Sequence, residues 1–582
     1  MNGADILVEM LVRYGVNDLF GVPGDTNVSL YSALQRRVGE IRHIMCRDER
    51  SAGYMADAYA RISNKVGVFE APSGAGAMYS LPPVAEANSS SVAMILLTID
   101  IPLSGEGRGV ITELDCKTLF EPITKASIQI KSTDKIPETV RRAFRIATSG
   151  TPGAVHLVIP EDILDHEASI APEAIYAEDE CSSFPSFATA PSQDAVQRLV
   201  ALLGESSRPV IVAGGGCNRG KAGDALLRFV EKTNIPVVTS ITGQGVLPDD
   251  HKLAIGVIGD NGFHPHANRA LEESDLILYI GSKVGSVVTV GWSLPKKNVE
   301  RKIVQIDSDP NVLANTAHND LSICSDARLA LEALVDAFDE QKARDYTSWV
   351  QTINVWRGAF WDASMKFSAD TTSPLKPEVV VSVLNNSRLF PANVLSDAGT
   401  PTPYMTRFFK IIDGQSTFII PRAFGGLGYA IPAVVGAWVA DPDKRPIGLF
   451  GDGSFNMSVG ELETLVRLQV PALLLHFNNA CFGWIKGLHR MQGRGTNDCY
   501  SVDFSRGDAA AIADAFGIKS FKVETAEEFR DAIIYAEKHK DGPIFIDIVI
   551  ESLAERVPPV FSWLRKQGAD PLSNDTMNRE FN

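Results

Sequence analysis

Two hydrophobic patterns recur along this chain. Short, mainly apolar runs stand at 66–71, 92–98, 154–159, 209–213, 276–280, 447–450 and 472–477. Between them lie longer stretches with apolar residues every three or four positions, such as 52–62 and 461–468. The first pattern predicts strands buried on both faces and the second predicts helices. Their alternation predicts parallel sheets covered by helices on both sides, an α/β chain of doubly wound units. The first unit opens with a helix at 7–12, a strand at 18–25 that ends in a turn, a strand at 41–46 and an alanine-rich helix, and it closes at 154–159. Residues 165–193 are rich in Ala, Ser, Pro and acids and read as a surface linker. A second unit carries strands at 209–213, 235–240, 276–280 and 303–306, and a polar helical connector follows at about 340–378. A third unit runs to about residue 550. The tail beyond it, with Pro558-Pro559 and many polar residues, is expected to lie across the surface.

The 582 residues exceed a single core and fit about three domains. The units are set at 1–165, 194–340 and 377–550, with a tail at 551–582. A net charge of −16 without a basic stripe argues against a nucleic-acid partner. No apolar run is long enough for a membrane span, and the first residues lack a basic region before an apolar one. Seven scattered cysteines form no framework and no Cys-x-x-Cys pair, so a cytoplasmic setting is the expectation.

The chemistry concentrates in Gly451-Asp452-Gly453-Ser454, followed, with 24 residues between Gly453 and Asn478, by Asn478-Asn479. A carboxylate at the end of one strand thus meets an amide oxygen at the end of the next. Glycine amides at a helix start lie between them. Such a set suits a diphosphate bridged by Mg²⁺, because that ion prefers oxygen ligands shared with phosphate. Two ordinary strand-end turns are the plainer alternative.

This signature resembles that of thiamine-diphosphate enzymes. From about Gly3 to Ile550 the chain is similar to the branch holding acetolactate synthase, 2-oxo acid decarboxylases and benzaldehyde lyase, and its pattern sits nearest the acetolactate synthase large subunits. The resemblance implies pyrimidine-binding, central and diphosphate-binding domains in that order. It implies thiamine diphosphate and Mg²⁺ as cofactors, with the metal on Asp452, Asn479 and the carbonyl of Cys481. It implies that Glu49, after the strand at 41–46, is the catalytic carboxyl that contacts the pyrimidine; a helix cap is the alternative for this residue. Leu427, in Gly425-Gly426-Leu427-Gly428, falls where the family places the wedge that bends the cofactor. Gly399 and Thr400 fall in the loop over the diphosphate, where the histidine often found next is Pro401. In this family the carboxyl and the cofactor come from different subunits, so a homodimer or homotetramer with active sites between chains is implied.

The branch is mixed. Asp25, in Gly21-Val22-Pro23-Gly24-Asp25, follows the decarboxylase version of the first loop, although an aspartate bonding its own turn is the bland alternative. The decarboxylase His-His pair near 105–115 is absent, and the expected glutamate is Ile485. Residues 112–125 follow the acetolactate-synthase pattern, with Thr112 in place of the usual substrate-side glutamine and Leu488 in place of the acceptor-selecting tryptophan. Without the proton donors that complete simple decarboxylation, the reading is a carboligase that decarboxylates a 2-oxo acid such as pyruvate and passes the activated aldehyde to a second carbonyl. A non-ligating decarboxylase is the runner-up. A nicotinamide-dependent oxidoreductase is disfavoured because residues 214–220 lack the full Gly-x-Gly-x-x-Gly order. Intact Glu49, Asp452 and Asn479 disfavour a non-catalytic binding protein. In the central unit Gly214-Gly215-Gly216, Gly281-Ser282-Lys283 and Ile306–Pro310 sit where relatives bind FAD or ADP. The Arg-Phe-Asp-Asp-Arg run common in FAD-binding relatives is replaced by 283–287, which counts against FAD.

Overall fold

Burial on both faces makes a strand read as a continuous apolar run. In the computed structural model those runs become the central strands of three six-stranded sheets. The structure describes residues 1–582 except 298, 339–343, 506, 578 and 582. The boundary expected at residue 340 and the last residue of the tail therefore lie outside the described residues.

The first sheet holds β1 (Asp18–Gly21), β2 (Arg42–Met45), β3 (Gly67–Pro72), β4 (Met94–Asp100), β5 (Ala126–Gln129) and β6 (Ala154–Pro160). Its spatial order is β2-β1-β3-β4-β6-β5. The second holds β7 (Pro209–Ala213), β8 (Val237–Thr239), β9 (Ala254–Val257), β10 (Leu276–Ile280), β11 (Lys302–Asp307) and β12 (Leu321–Cys324), in the order β12-β11-β10-β7-β8-β9. The third holds β13 (Ala392–Ser396), β14 (Thr417–Ile419), β15 (Arg445–Gly451), β16 (Leu473–Asn478), β17 (Lys519–Val523) and β18 (Ile544–Val549), in the order β14-β13-β15-β16-β18-β17. Pairing within each sheet is parallel throughout, including β1 with β3, β7 with β10 and β13 with β15. The first and third sheets share one topology. The second has the order of dinucleotide-binding folds.

Strand order reverses between β1 and β3, between β7 and β10, and between β13 and β15. Ligands of open α/β sheets bind outside the carboxyl ends of the strands at such points. Each unit therefore offers one crevice, and the loops after those strands line it.

The first and third units share a continuous core. Its seam is helix Glu49–Ser63 against helix Ala430–Ala440. A Cβ on Gly436 would collide with the Met55 carbonyl oxygen. Within the seam Tyr54 and Tyr429, both buried, meet edge to face at 5.2 Å, and the Tyr429 hydroxyl donates to Asp57 Oδ2 at 2.7 Å.

The tail departs from the surface position expected for it. Leu553, Val557, Val560, Phe561, Trp563 and Leu564 are buried. Phe561 packs edge-on against Phe263 at 5.1 Å and Trp563 against Trp484 at 4.7 Å, while Asp260 Oδ1 accepts the Ser562 N–H at 2.7 Å. Scattered aromatics among polar residues carry no period, so only these tertiary contacts reveal them as core. Among the described residues no helix is long and apolar enough to cross a membrane.

Because backbone is what a side chain at 436 would strike, the seam cannot relax by a rotamer change. Gly436→Ala is expected to cost on the order of 1–3 kcal/mol, the usual penalty of overpacking. Thermal unfolding of the purified full chain measures it, and an unchanged midpoint would show that the seam gives way freely.

Candidate functional site

At the reversal of the third sheet, β15 ends in Gly451 and delivers Asp452 to the first position of helix Asp452–Ser458. Its neighbour β16 ends in Asn478, so Asn479 arrives alongside, and its backbone N–H donates to Asp452 Oδ2 at 3.1 Å. Burial raises the Asp452 pKa, an effect that nearby His476 opposes. The Cys481 thiol, two residues on, donates to Asn479 Oδ1 at 3.2 Å.

A cavity of about 360 Å³ opens here. Gly399, Thr400, Gly425, Leu427, Gly451, Asp452, Gly453, Ser454 and Cys481 all line it. Of the residues expected to hold the cofactor only Asn479 is not on the wall, and it lies directly behind. A Cβ on Gly483 would stand 2.7 Å from Asn479 Nδ2 and 2.9 Å from Thr400 Oγ1, so this glycine keeps the space between those two groups open. The first-turn amides of a helix lack partners within the helix, and two residues of that turn, Gly453 and Ser454, face the cavity. These features fit a diphosphate with a cation. Among the described residues no three His, Cys, Asp or Glu side chains cluster as a metal site. The carboxylate, amide and carbonyl oxygens gathered here suit a hard ion completed by phosphate.

The cavity also has walls that sequence reasoning missed. Asn261, Arg422, Phe482 and Trp484 line it. Asp397, fully buried, accepts the Ala430 N–H at 3.0 Å and so pins the turn after Leu427. The signal available in the sequence was an acid directly after the mainly apolar run of β13, two residues before Gly399.

Glu49, Asp25 and Thr112 stay apart from this cavity and instead ring the loop after β3. A Cβ on Gly76 would be 2.9 Å from Glu49 Oε1, Ser73 Oγ is 2.7 Å from Thr112 Oγ1, and the Ser73 N–H donates at 3.3 Å to Thr26, next to Asp25. The helix cap is Asp48, whose carboxylate accepts the Arg50 and Ser51 N–H groups, so Glu49 is released from that role. Glu49 is 9% exposed, and burial raises its pKa, with Asp48 and Glu70 adding to the shift. Asp25 and Thr112 are exposed. A buried network that the sequence did not disclose shapes the Asp25 turn. Asn27 Nδ2 and the Tyr31 hydroxyl each donate to Glu70 at 2.6 Å, and Asn27 Oδ1 accepts the Gly24 N–H at 2.7 Å. Within one chain, Arg50 reaches the Met457 carbonyl at 2.6 Å, at the last turn of the helix whose first turn faces the cavity.

At the reversal of the second sheet a cavity of about 290 Å³ is lined by Gly215, Gly281 and four cations: Arg61, Arg219, Lys283 and Arg422. Burial holds Arg219 down at about 10 and lowers Lys283 as well. Arg422 belongs to the walls of both cavities.

Asp397 supplies a pH test. Burial pushes it up to about 7 from an ordinary 3.8. A carboxyl whose folded pKa is raised contributes stability at low pH and loses it as pH rises through the folded value. The stability advantage of the parent over Asp397→Asn is expected to shrink between about pH 4 and about pH 7, and melting both across that range measures it. An advantage independent of pH would show that Asp397 keeps an ordinary pKa.

Three stretches match thiamine pyrophosphate enzyme domains: the N-terminal TPP binding domain over 1–119, the central domain over 196–334 and the C-terminal TPP binding domain over 397–548. The probable acetolactate synthase large subunit of Methanocaldococcus jannaschii is 33% identical over 577 residues, covering 96% of this chain and 93% of that protein. Its counterpart in Methanococcus aeolicus is 31% identical, covering 96% and 94%. The acetolactate synthase isozyme 3 large subunit of Escherichia coli (strain K12) is 29% identical, covering 98% of each chain. Three matched domains in order, on three parallel sheets whose third reversal carries the Asp452–Asn479 cavity, make this chain a member of the thiamine pyrophosphate enzyme family, in the branch of the acetolactate synthase large subunits.

Proposed function

We propose that the protein is a thiamine-diphosphate-dependent carboligase that takes a 2-oxo acid, pyruvate first, as donor and a second carbonyl compound as acceptor. The observation that carries this reading is the make-up of the cavity wall. Asp452 is on the wall with Asn479 next to it behind, and Phe482, Trp484 and Ile485 add apolar lining where a proton-donating group would end the reaction at a free aldehyde. The similarity to acetolactate synthase large subunits supports the same reading.

Bound thiamine diphosphate would supply the electron sink for cleaving and forming the carbon–carbon bond. Asp452, Asn479 and the Cys481 carbonyl are assigned to Mg²⁺, with Gly399, Thr400, Gly453 and Ser454 around the diphosphate. Leu427 is assigned as the wedge beneath the cofactor. Glu49 is assigned to hold and move a proton at its carboxyl oxygens, a role helped by burial that favours its neutral form. Asp25 and Thr112 are assigned to the substrate side.

These two groups of residues need a second chain to meet. The apolar side chains of Met78, Tyr79 and Ile111 are exposed around the Glu49 loop, as are Phe424 and Ile485 around the diphosphate cavity. This exposure supports a homodimer or homotetramer in which the first unit of one chain closes the cavity of another. A cytoplasmic enzyme is the matching setting for the reduced cysteines. The four cations of the central cavity support a phosphate-bearing nucleotide there, while the missing Arg-Phe-Asp-Asp-Arg run counts against FAD; a flavin absorbance in the purified protein would reverse that assignment.

Incubation with pyruvate, alone and with an added aldehyde or 2-oxo acid, tests the reaction. A hydroxyketone or acetohydroxy acid is the expected product. Free aldehyde alone would make the protein a simple decarboxylase. For Glu49→Gln, cofactor binding is expected to persist while turnover falls by about 10²–10⁴-fold, the range for a lost acid–base group. Hydrogen–deuterium exchange at the cofactor C2 reports the step, and exchange at the parental rate would remove Glu49 from proton transfer.

A further inference from the structure

Behind Asp452 the third sheet contains polar groups that a structural core would not need. Residues alternate sides along a strand, so on β16 His476 and Asn478 point to one face while Asn479 turns toward the cavity. His476 is in register with Phe450 on β15 and with Asp547 on β18. His476 is 2% exposed and Asp547 is fully buried. Three aromatic rings surround the imidazole, with centroids of Phe455 at 5.1 Å, Phe450 at 5.7 Å and Phe545 at 6.0 Å. Polar groups in such a box cost free energy unless they are paired.

The pairing is directional. His476 Nδ1 lies 2.9 Å from Asp547 Oδ1, and Asn478 Nδ2 donates to the same carboxylate at 3.0 and 3.2 Å. This fixes the ring. Nε2, buried and without a hydrogen-bond partner among the described residues, is then 3.7 Å from Asp452 Oδ1. The other oxygen of Asp452 already accepts the Asn479 N–H. The Asp452 carboxylate is thus approached from two sides by β16, through the backbone at 479 and the ring at 476.

We propose that His476, oriented by Asp547 and Asn478, is a positioning residue for Asp452, and that it sets the affinity of the site for the divalent cation that holds the diphosphate. The proposal rests on the assignment of Asp452 to that cation. Its physical basis is that groups behind a metal ligand fix the ligand's orientation, and their loss typically costs 10–100-fold in metal affinity. Nδ1 donates to the Asp547 carboxylate, so the ring is held with its Nε2 edge against Oδ1, and this contact restricts how the Asp452 carboxylate can turn toward the cation.

The test is calorimetric titration of the full chain with Mg²⁺ at saturating thiamine diphosphate, alongside melting of the cofactor-free protein. His476→Leu is expected to weaken Mg²⁺ binding about tenfold or more. Glutamine places its amide group near the position of Nε2 without an ionisable ring, so His476→Gln is expected to restore most of the affinity. Asparagine mimics only Nδ1, so His476→Asn is expected to resemble the leucine variant. A structural role would instead lower all three melting points together and leave the affinity of folded protein unchanged, which would overturn the proposal. Asp452→Asn separates the two levels of the argument. If it binds Mg²⁺ as the parent does, the cation assignment itself fails. If it loses binding while His476→Leu retains it, only the positioning role fails.

Discussion

The close approach of helix Glu49–Ser63 to helix Ala430–Ala440 is the constraint on which the rest depends. Gly436 brings its helix against the backbone at Met55, and the first and third cores merge there. The helix of Met55 carries Glu49 at its start, and the loop leading into its partner carries Leu427. The packing that stabilises the chain therefore also sets where both candidate residues stand. It places the Glu49 loop and the diphosphate cavity at different ends of the helix that begins at Asp452, so the proposed assembly follows from the seam rather than from either site alone.

Burial does much of the chemical preparation. Asp397 and Asp452 at strand ends and Glu49 at a helix start are all shifted upward by desolvation. Each keeps compensating contacts, since a buried charge without them would be expelled or neutralised. Around the first loop, Glu70 takes hydrogen bonds from Asn27 and Tyr31. Around the cavity, Asp397 holds the turn at Ala430. These acids give shape to glycine-rich loops that have little rigidity of their own.

Topology decides where such loops can act. In a doubly wound sheet the loops after two adjacent strands diverge only where the strand order reverses, and the gap left there is the natural ligand crevice. Both cavities occupy such gaps, one in the central unit and one in the third. Arg422, on the walls of both, links them physically.

The sequence by itself determined the class of fold and the diphosphate signature, because both are local. Central parallel strands such as β4 and β10 are buried along their whole length and so appear as apolar runs. The edge strands β5, β9 and β12, half-exposed or alternating in burial, gave no such run and emerged only from their pairing. Asp452 and Asn479 were legible because one strand–helix–strand unit fixes their spacing. Glu49 was legible through its setting, yet that Asp48 takes the capping role is visible only in the hydrogen bonds. The Asn27–Glu70 network, the insertion of the tail and the line of Asp452, His476 and Asp547 join residues far apart in the chain. Strand order set them side by side, and strand order depends on which faces the long-range packing buries.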